Sequence, residues 1–230
     1  MSARIYLADD EANIRQLLES FLVREGYEVS TFETGDQLLL AFMENPADVV
    51  VLDVMMPGSD GFAIAQEIRK RSQVPLILLT ARDSDQDYLD GFKAGIDDYF
   101  TKPFSPLKLV LRIKAILQRL EYEHQDESAK KMEFADLALK PNDRVLVSRG
   151  NQLPLTNTEY DVLRVLMAEA GQAVSRERLL REIWGYESNV ETRATDDTIK
   201  RLRKKLRQIE SQVSIETVWG YGFKLCQKQA

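Results

Sequence analysis

Short apolar runs that stop at an acidic or polar residue alternate, through the first half of this chain, with segments whose apolar residues recur every three or four positions. Arg4–Ala8, residues 48–52 and residues 74–80 have strand length, while Ile14, Leu17, Leu18, Phe21 and Leu22 form one helical stripe and Ile64 and Ile68 another. Strand and helix repeat about five times in this way. Parallel strands need a crossover, usually a helix, between each pair. The expected fold of this half is therefore α/β: a doubly wound, five-stranded parallel sheet with helices on both faces. In such sheets ligands bind outside the carboxyl ends of the strands.

That rule sends particular side chains to one rim. Asp9 and Asp10 end the first strand, Asp53 ends the third, Thr80 ends the fourth, and Lys102 follows the fifth, residues 99–101. Taken singly, an aspartate at a strand end is an ordinary helix cap or turn residue. Taken together, three clustered carboxylates repel one another and raise their own pKa values unless a divalent cation sits among them. An all-oxygen donor set suits Mg²⁺.

Four motifs, DD at 9–10, VVVLDVMMPGSDG at 49–61, LLTAR at 78–82 and DDYFTKPF at 97–104, together resemble the flavodoxin-like receiver domain of two-component response regulators, over residues 1–120. The resemblance implies that Asp53 accepts a phosphoryl group from a sensor histidine kinase. It also implies that Asp10, Asp53, the backbone carbonyl of Met55 and, through water, Asp9 hold Mg²⁺. Lys102, aimed by a cis bond to Pro103, would neutralise the phosphoryl oxygens. A carboxylate is a modest nucleophile, so metal and ammonium have to offset the charge of the incoming group. The Thr80 hydroxyl and the Tyr99 ring are the expected responders. The helices after the fourth and fifth strands would form a symmetric dimer surface through Asp97, Asp98, Arg112 and Arg119. Tyr88 and Lys108 stand where most members carry Lys and Glu, which implies either a cation–π contact in place of that pair or a weaker dimer.

Charge separates the two halves. Residues 1–120 carry 13 Lys and Arg against 19 Asp and Glu, and residues 121–230 carry 18 of each, so the whole net charge of -6 belongs to the first half. Within the second, residues 193–207 hold seven basic and two acidic side chains, a local excess that the average conceals. Residues 121–131 lack apolar periodicity and read as a linker, which leaves residues 132–230 as a second domain.

That domain opens with strands at residues 134–139 and 144–148, split by the Pro141-Asn142-Asp143 turn. A helix capped by Thr156 or Asn157 follows, with the stripe Tyr160, Leu163, Leu166, Met167; further helices span residues 175–184 and 194–210, and a hairpin spans 215–225. On the last helix Ile199, Leu202, Leu206 and Ile209 make the buried stripe, so the remaining surface is cationic, as a helix entering a phosphate-lined groove requires. LTNTEYDVLRVL, VSRERLLREIWG, RATDDTIKRLRKKL and TVWGYGFKL resemble the α+β winged helix-turn-helix effector of the OmpR/PhoB subfamily. By that resemblance Arg193, Lys200, Arg201, Arg203 and Lys204 are the expected DNA contacts, with Trp184 and Thr158 near the phosphate backbone. Asp197 and Thr198 depart from the usual motif, and Asp197 could accept a bond from cytosine N4. Trp219 occupies a wing position where many members place Arg.

The composition narrows the alternatives. No apolar run approaches the roughly 20 residues of a membrane span. One cysteine, Cys226, allows no internal disulfide, and one histidine, His124, makes a zinc site or a histidine triad improbable. The expectation is a cytoplasmic regulator, not an enzyme, whose partners are a sensor histidine kinase, double-stranded promoter DNA, a second copy of itself when phosphorylated, and RNA polymerase. An aspartyl-phosphate hydrolase is the rival, but it would want an acid two residues after Asp53, where Met55 stands. A phosphorylation-independent DNA binder is a third reading, opposed by the complete set on the rim.

Overall fold

The computed structural model describes residues 2–81, 95–125, 132–140, 144–185 and 194–228, and the chain divides into two compact units, Met1–Gln118 and Arg119–Ala230. In the first, β1 (Arg4–Ala8), β2 (Glu28–Phe32), β3 (Val49–Asp53), β4 (Leu76–Thr80) and β5 (Asp98–Thr101) form one parallel sheet in the order β2-β1-β3-β4-β5. Among the described residues, the helices that accompany this sheet are α1 (Ala12–Arg24), α2 (Gly35–Glu44), α3 (Gly61–Arg69) and α4 (Pro106–Gln125). Side chains alternate between the two faces of a strand. Tyr6, Ala8, Val50, Leu52, Leu76 and Leu78 therefore pack together on one face with Leu38 and Phe42 of α2 and Ile64 and Ile68 of α3. Ile5, Leu7, Val49, Val51, Ile77 and Leu79, all buried, point the other way, and Leu18 and Leu22 of α1 and Leu109 and Ile113 of α4 are buried as well.

Local chemistry sets the boundaries. Thr34 caps α2 by accepting from the Gln37 amide, and Asp60 caps α3 by accepting from Ala63. Strand β4 starts at Leu76 and not at Val74, since Pro75 has no N–H to donate and contributes only its carbonyl, to the Val50 amide at 2.9 Å. Helix α4 runs to Gln125, through the first part of the segment read as linker, because residues 121–125 contain good helix formers and neither Gly nor Pro.

The second unit begins with an antiparallel sheet, β6 (Met132–Phe134), β7 (Leu137–Lys140), β8 (Val145–Ser148) and β9 (Asn151–Pro154), in sequential order. The apolar run at residues 134–139 is thus two strands joined by a turn in which Ala135 has φ +53, a conformation its composition does not announce. Helix α5 (Asn157–Ala168) is followed by β10 (Ala173–Ser175), then α6 (Arg176–Leu179), which continues as a π-helical turn over Leu180–Trp184. Helix α7 (Ala194–Gln208) leads to the hairpin of β11 (Val213–Val218) and β12 (Gly222–Gln227), with β10 pairing on β12. Thr156 and Glu159 close a reciprocal capping box on α5. Trp184, Leu163, Leu202 and Phe223 sit in one core built from all of these elements. The architecture is a winged helix-turn-helix behind a small antiparallel sheet.

Candidate functional site

Strands β1 and β3 are neighbours although β2 lies between them in sequence, so the chain reverses direction across the sheet at this point. Doubly wound sheets open their binding crevice there. Asp9 follows β1 and Asp53 ends β3, and carboxylate oxygens of Asp9, Asp10 and Asp53 come within 4.8 Å of one another. Asp9 and Asp53 are buried, while Asp10 faces out. Lys102 reaches in from the end of β5: its Nζ lies 2.7 Å from Asp53 Oδ2, 2.9 Å from Asp9 Oδ2 and 3.4 Å from Glu11 Oε1. The Lys102–Pro103 bond is cis. The Lys102 amide donates to the Thr80 carbonyl at 2.7 Å, which places Thr80, buried at the end of β4, on the same rim.

The electrostatics follow from this packing. Burial pulls the Lys102 ammonium toward a lower pKa, but its hydrogen bonds to Asp53 and Asp9 outweigh that and hold it above the ordinary lysine value. Asp9 is the converse case. Burial pushes its carboxyl above the usual 3.8, against the opposing pull of Lys102 and of the Glu11 amide. A cluster with one cation among several acids retains a negative excess, and its donors are all oxygen. These residues therefore fit a divalent metal ion.

Several positioning groups gave no signal as isolated letters. Arg15 donates to the carbonyls of Asp9 and Asp10 at 2.7 and 2.9 Å and so pins the loop that carries them; its place one turn into α1 is the only clue the sequence holds. A Cβ at Gly61 would fall 2.2 Å from the Asp53 carbonyl, so only glycine lets α3 start against the end of β3. The Met55 amide donates to Asp53 Oδ1 at 3.2 Å, while the Met55 side chain is half exposed.

Away from the rim, Asp97 accepts from Arg69 at 2.7 Å and Asp98 from Arg112 at 2.7 Å, so both acids already have partners within one chain. Burial pushes the Asp98 carboxyl up, against the pull of that guanidinium. Tyr99 is half-buried on β5, Lys108 is exposed on α4, and Arg119 falls at the start of the second unit. Tyr88 lies outside the described residues.

On the second unit, α7 presents Lys200 and Lys204 to solvent, and Arg207 continues the same face at spacings of four and three. That spacing could have singled out Arg207 from the sequence. Arg201 turns inward: it is buried, donates to Thr198 Oγ1 at 3.0 Å and approaches Glu159 at 3.6 Å. Thr198 is buried as well and donates to the Ala194 carbonyl, while Thr158 and Trp184 lie in the interior. Arg203 is half-buried and bonded to β11, and Asp197 is half-buried. Trp219 stands almost fully exposed at the hairpin tip. Arg193 lies outside the described residues.

Comparison with known proteins agrees with both halves. Residues 5–114 match the family described as "Response regulator receiver domain", and residues 150–225 match "Transcriptional regulatory protein, C terminal". The chain is 38% identical over 227 residues to the transcriptional regulatory protein ResD of Bacillus subtilis (strain 168), covering 96% of this chain and 95% of that one. It is 37% identical over 230 residues to the transcriptional regulatory protein SrrA of Staphylococcus aureus (strain NCTC 8325 / PS 47), covering 97% and 95%. Among solved structures, a mutant of RitR matches with a TM-score of 0.76 at 27% identity, over 99% of this chain and 100% of that one. The response regulator DrrB, a Thermotoga maritima OmpR/PhoB homolog, matches with a TM-score of 0.52 at 35% identity, over 98% and 100%. With relatives aligned over nearly its whole length, and with a receiver rim and a winged helix standing where the motifs fall, the chain belongs to the OmpR/PhoB subfamily of two-component response regulators, transcriptional regulators that join a receiver to a DNA-binding domain.

Proposed function

We propose that Asp53 is the phosphoacceptor and that its phosphorylation by a sensor histidine kinase, in the cytoplasm, drives dimerisation and promoter binding. The observation that carries this is the placement of a buried Asp53 carboxylate 2.7 Å from the Lys102 ammonium, beside Asp9 and Asp10, at the point where the sheet changes direction. Asp53 attacks phosphorus as the donor's P–N bond breaks, so one carboxylate oxygen forms the acyl phosphate and the donor imidazole leaves. Lys102 is already charged and aimed at the site of attack, so it compensates the phosphoryl oxygens without rearranging. Asp9, Asp10, Asp53 and the Met55 carbonyl would hold Mg²⁺, which supplies further charge neutralisation when bound. Thr80 is close enough to the rim to follow a new set of acceptor oxygens, and Tyr99, two residues before the β5 terminus, is the side chain placed to move with it.

Met55 also bears on lifetime. A thioether cannot shuttle a proton, so hydrolysis lacks a general acid or base at this position and the phosphorylated state persists as a timer. The chain acts as a regulator and not as a turnover phosphatase.

On the DNA side, the exposed Lys200, Lys204 and Arg207 are the groups we assign to phosphates and base edges of the promoter. RNA polymerase is the further partner such a regulator would recruit. The test uses acetyl phosphate with Mg²⁺. Wild-type protein should gain a phosphoryl mass increment on the Asp53 peptide and bind DNA more tightly, and Asp53→Ala should do neither; equal DNA affinities in the two would overturn phosphate control.

A further inference from the structure

Residues 54–60 join the end of β3 to the start of α3 and carry Met55 beside the rim. The base of this loop is closed by the Gly61 amide, which donates to the Val54 carbonyl at 3.1 Å, and the Met55 amide turns back to Asp53 Oδ1 at 3.2 Å. Beyond that the arc has few ties. Pro57 has no N–H to donate, and among the described residues the Met56, Gly58 and Asp60 amides have no hydrogen-bond partner. The Met55 carbonyl accepts no hydrogen bond among those residues either, which leaves its lone pairs available for a metal ion.

One side chain from another element holds the arc's main chain. Asp36, in the first turn of α2, accepts from the Ser59 amide through Oδ2 at 3.1 Å, and the Ser59 hydroxyl bonds to the same carboxyl; together they hold it below the ordinary aspartate pKa. The helix that bears Asp36 is well anchored. Thr34 caps it, Leu38 and Phe42 are buried in one cluster with Met56 and with Ile64 of α3, and a Cβ added at Gly35 would fall 2.6 Å from Ile64 Cγ1 and 3.1 Å from Met56 Cε. The loop side fits as closely: Gly58 has φ +87, and a Cβ on it would lie 2.5 Å from Asp36 Oδ2. Asp36 is itself exposed, so its bond does not serve to neutralise a charge in the core. What it fixes is the arc.

Resting on the phosphoacceptor reading and deepening it, we propose that Asp36 is a positioning residue for the metal side of the rim: by holding Ser59 it keeps residues 55–59 in place, and with them the Met55 carbonyl that joins Asp9, Asp10 and Asp53 in the donor set. Groups that orient a metal's ligands without touching the ion typically govern its affinity by about 10–100-fold. Asp36 acts through Ser59 and not on the reacting atoms. The three carboxylates and Lys102 remain when its bond is lost, so metal binding should weaken while phosphoryl transfer at saturating metal stays as it was. A negative charge near the rim would also attract a cation from a distance. The two origins separate in Asp36→Asn, which loses the charge but keeps an acceptor oxygen for the Ser59 amide.

The experiment titrates the full chain with Mg²⁺ by calorimetry and, separately, follows phosphoryl incorporation from acetyl phosphate across a Mg²⁺ series. Asp36→Ala should bind Mg²⁺ about tenfold more weakly. Its half-saturating Mg²⁺ for phosphorylation should rise by the same factor, with an unchanged rate at saturation. Asp36→Asn should recover most of the lost affinity. Gly58→Ala reaches the same bond from the loop side, so it should weaken Mg²⁺ binding similarly and add little when combined with Asp36→Ala. Wild-type Mg²⁺ affinity in Asp36→Ala would overturn the proposal. Equal losses in the Ala and Asn variants would overturn it in favour of charge acting at a distance, and a Gly58→Ala loss that adds in full would assign the effect to strain in the loop. A lower saturating rate at unchanged Mg²⁺ affinity would also overturn it, by placing the role of Asp36 in the transfer step. Wild-type protein that binds Mg²⁺ but gains no phosphoryl group would overturn the phosphoacceptor reading, while the calorimetric comparison would still decide the role of Asp36.

Discussion

At the rim of the receiver one ammonium does work that a bound cation would partly duplicate. Lys102 lies within 3 Å of two of the three carboxylates, and it is a fixed positive charge at neutral pH because its pKa is held high. Two charges about 4 Å apart interact by about 4 kcal/mol at an effective dielectric of 20, and solvent reaching the open Asp10 side reduces this. Lys102→Ala should therefore bind Mg²⁺ about tenfold more tightly or better by calorimetric titration, while failing to respond to acetyl phosphate. An unchanged Mg²⁺ affinity would mean that the ammonium and the metal do not share this field. The pH dependence has a definite sign. Asp9 is raised above 3.8, so protons compete with the metal as pH falls through a window that opens above the ordinary aspartate range. Wild-type Mg²⁺ affinity should fall there. In Lys102→Ala the window should move to higher pH, since the ammonium that favours the Asp9 carboxylate is gone.

Between elements, buried charge decides how the second unit holds its recognition helix. Glu159 of α5 is buried; it accepts from the Thr156 amide at 2.9 Å and from Lys205 at 2.7 Å, and stands 3.6 Å from Arg201. It caps one helix and anchors the next. Lys205 can swing to solvent if the carboxylate is removed, but Arg201 cannot, so Glu159→Ala should cost about 3–5 kcal/mol. Both tryptophans lie in this unit, so denaturant unfolding followed by tryptophan emission reports it alone. Glu159→Gln should lose less, as glutamine keeps the capping acceptor.

The same pair shows where sequence reasoning stopped. Periodicity identified Ile199, Leu202, Leu206 and Ile209 as a buried stripe, and all four are buried, the last just past the end of α7 at Gln208. It could not show that Arg201 and Lys205 lean inward, because the carboxylate that draws them sits more than 40 positions earlier. The receiver was more legible: strand ends and the rim aspartates follow from local pattern plus one topological rule. What escaped there was also non-local, such as Gly61 against the Asp53 carbonyl. In the second unit, β9 and β10 carry too little apolar alternation to stand out, and the turn at Ala135 has no Gly, Asn or Pro in the left-handed position to mark it.

For the whole molecule, charge and assembly make opposite predictions, which makes the mechanism separable. Phosphorylation adds about 1.5 to 2 negative charges to a half that already carries the entire net charge of -6. If the electrostatics of a single chain governed DNA binding, the phosphorylated protein would bind a polyanion more weakly. If phosphorylation instead pairs two chains, each brings its own set of exposed cations on α7, and the second engagement becomes intramolecular. Affinity for a two-half-site duplex should then rise, and the slope of log affinity against log salt should roughly double, because the number of phosphates neutralised doubles. Asp53→Ala should keep the single-chain slope with or without acetyl phosphate. A rise in affinity at unchanged slope would point to release of a masked DNA surface within one chain, and a fall in affinity would leave electrostatic repulsion as the dominant effect of the modification.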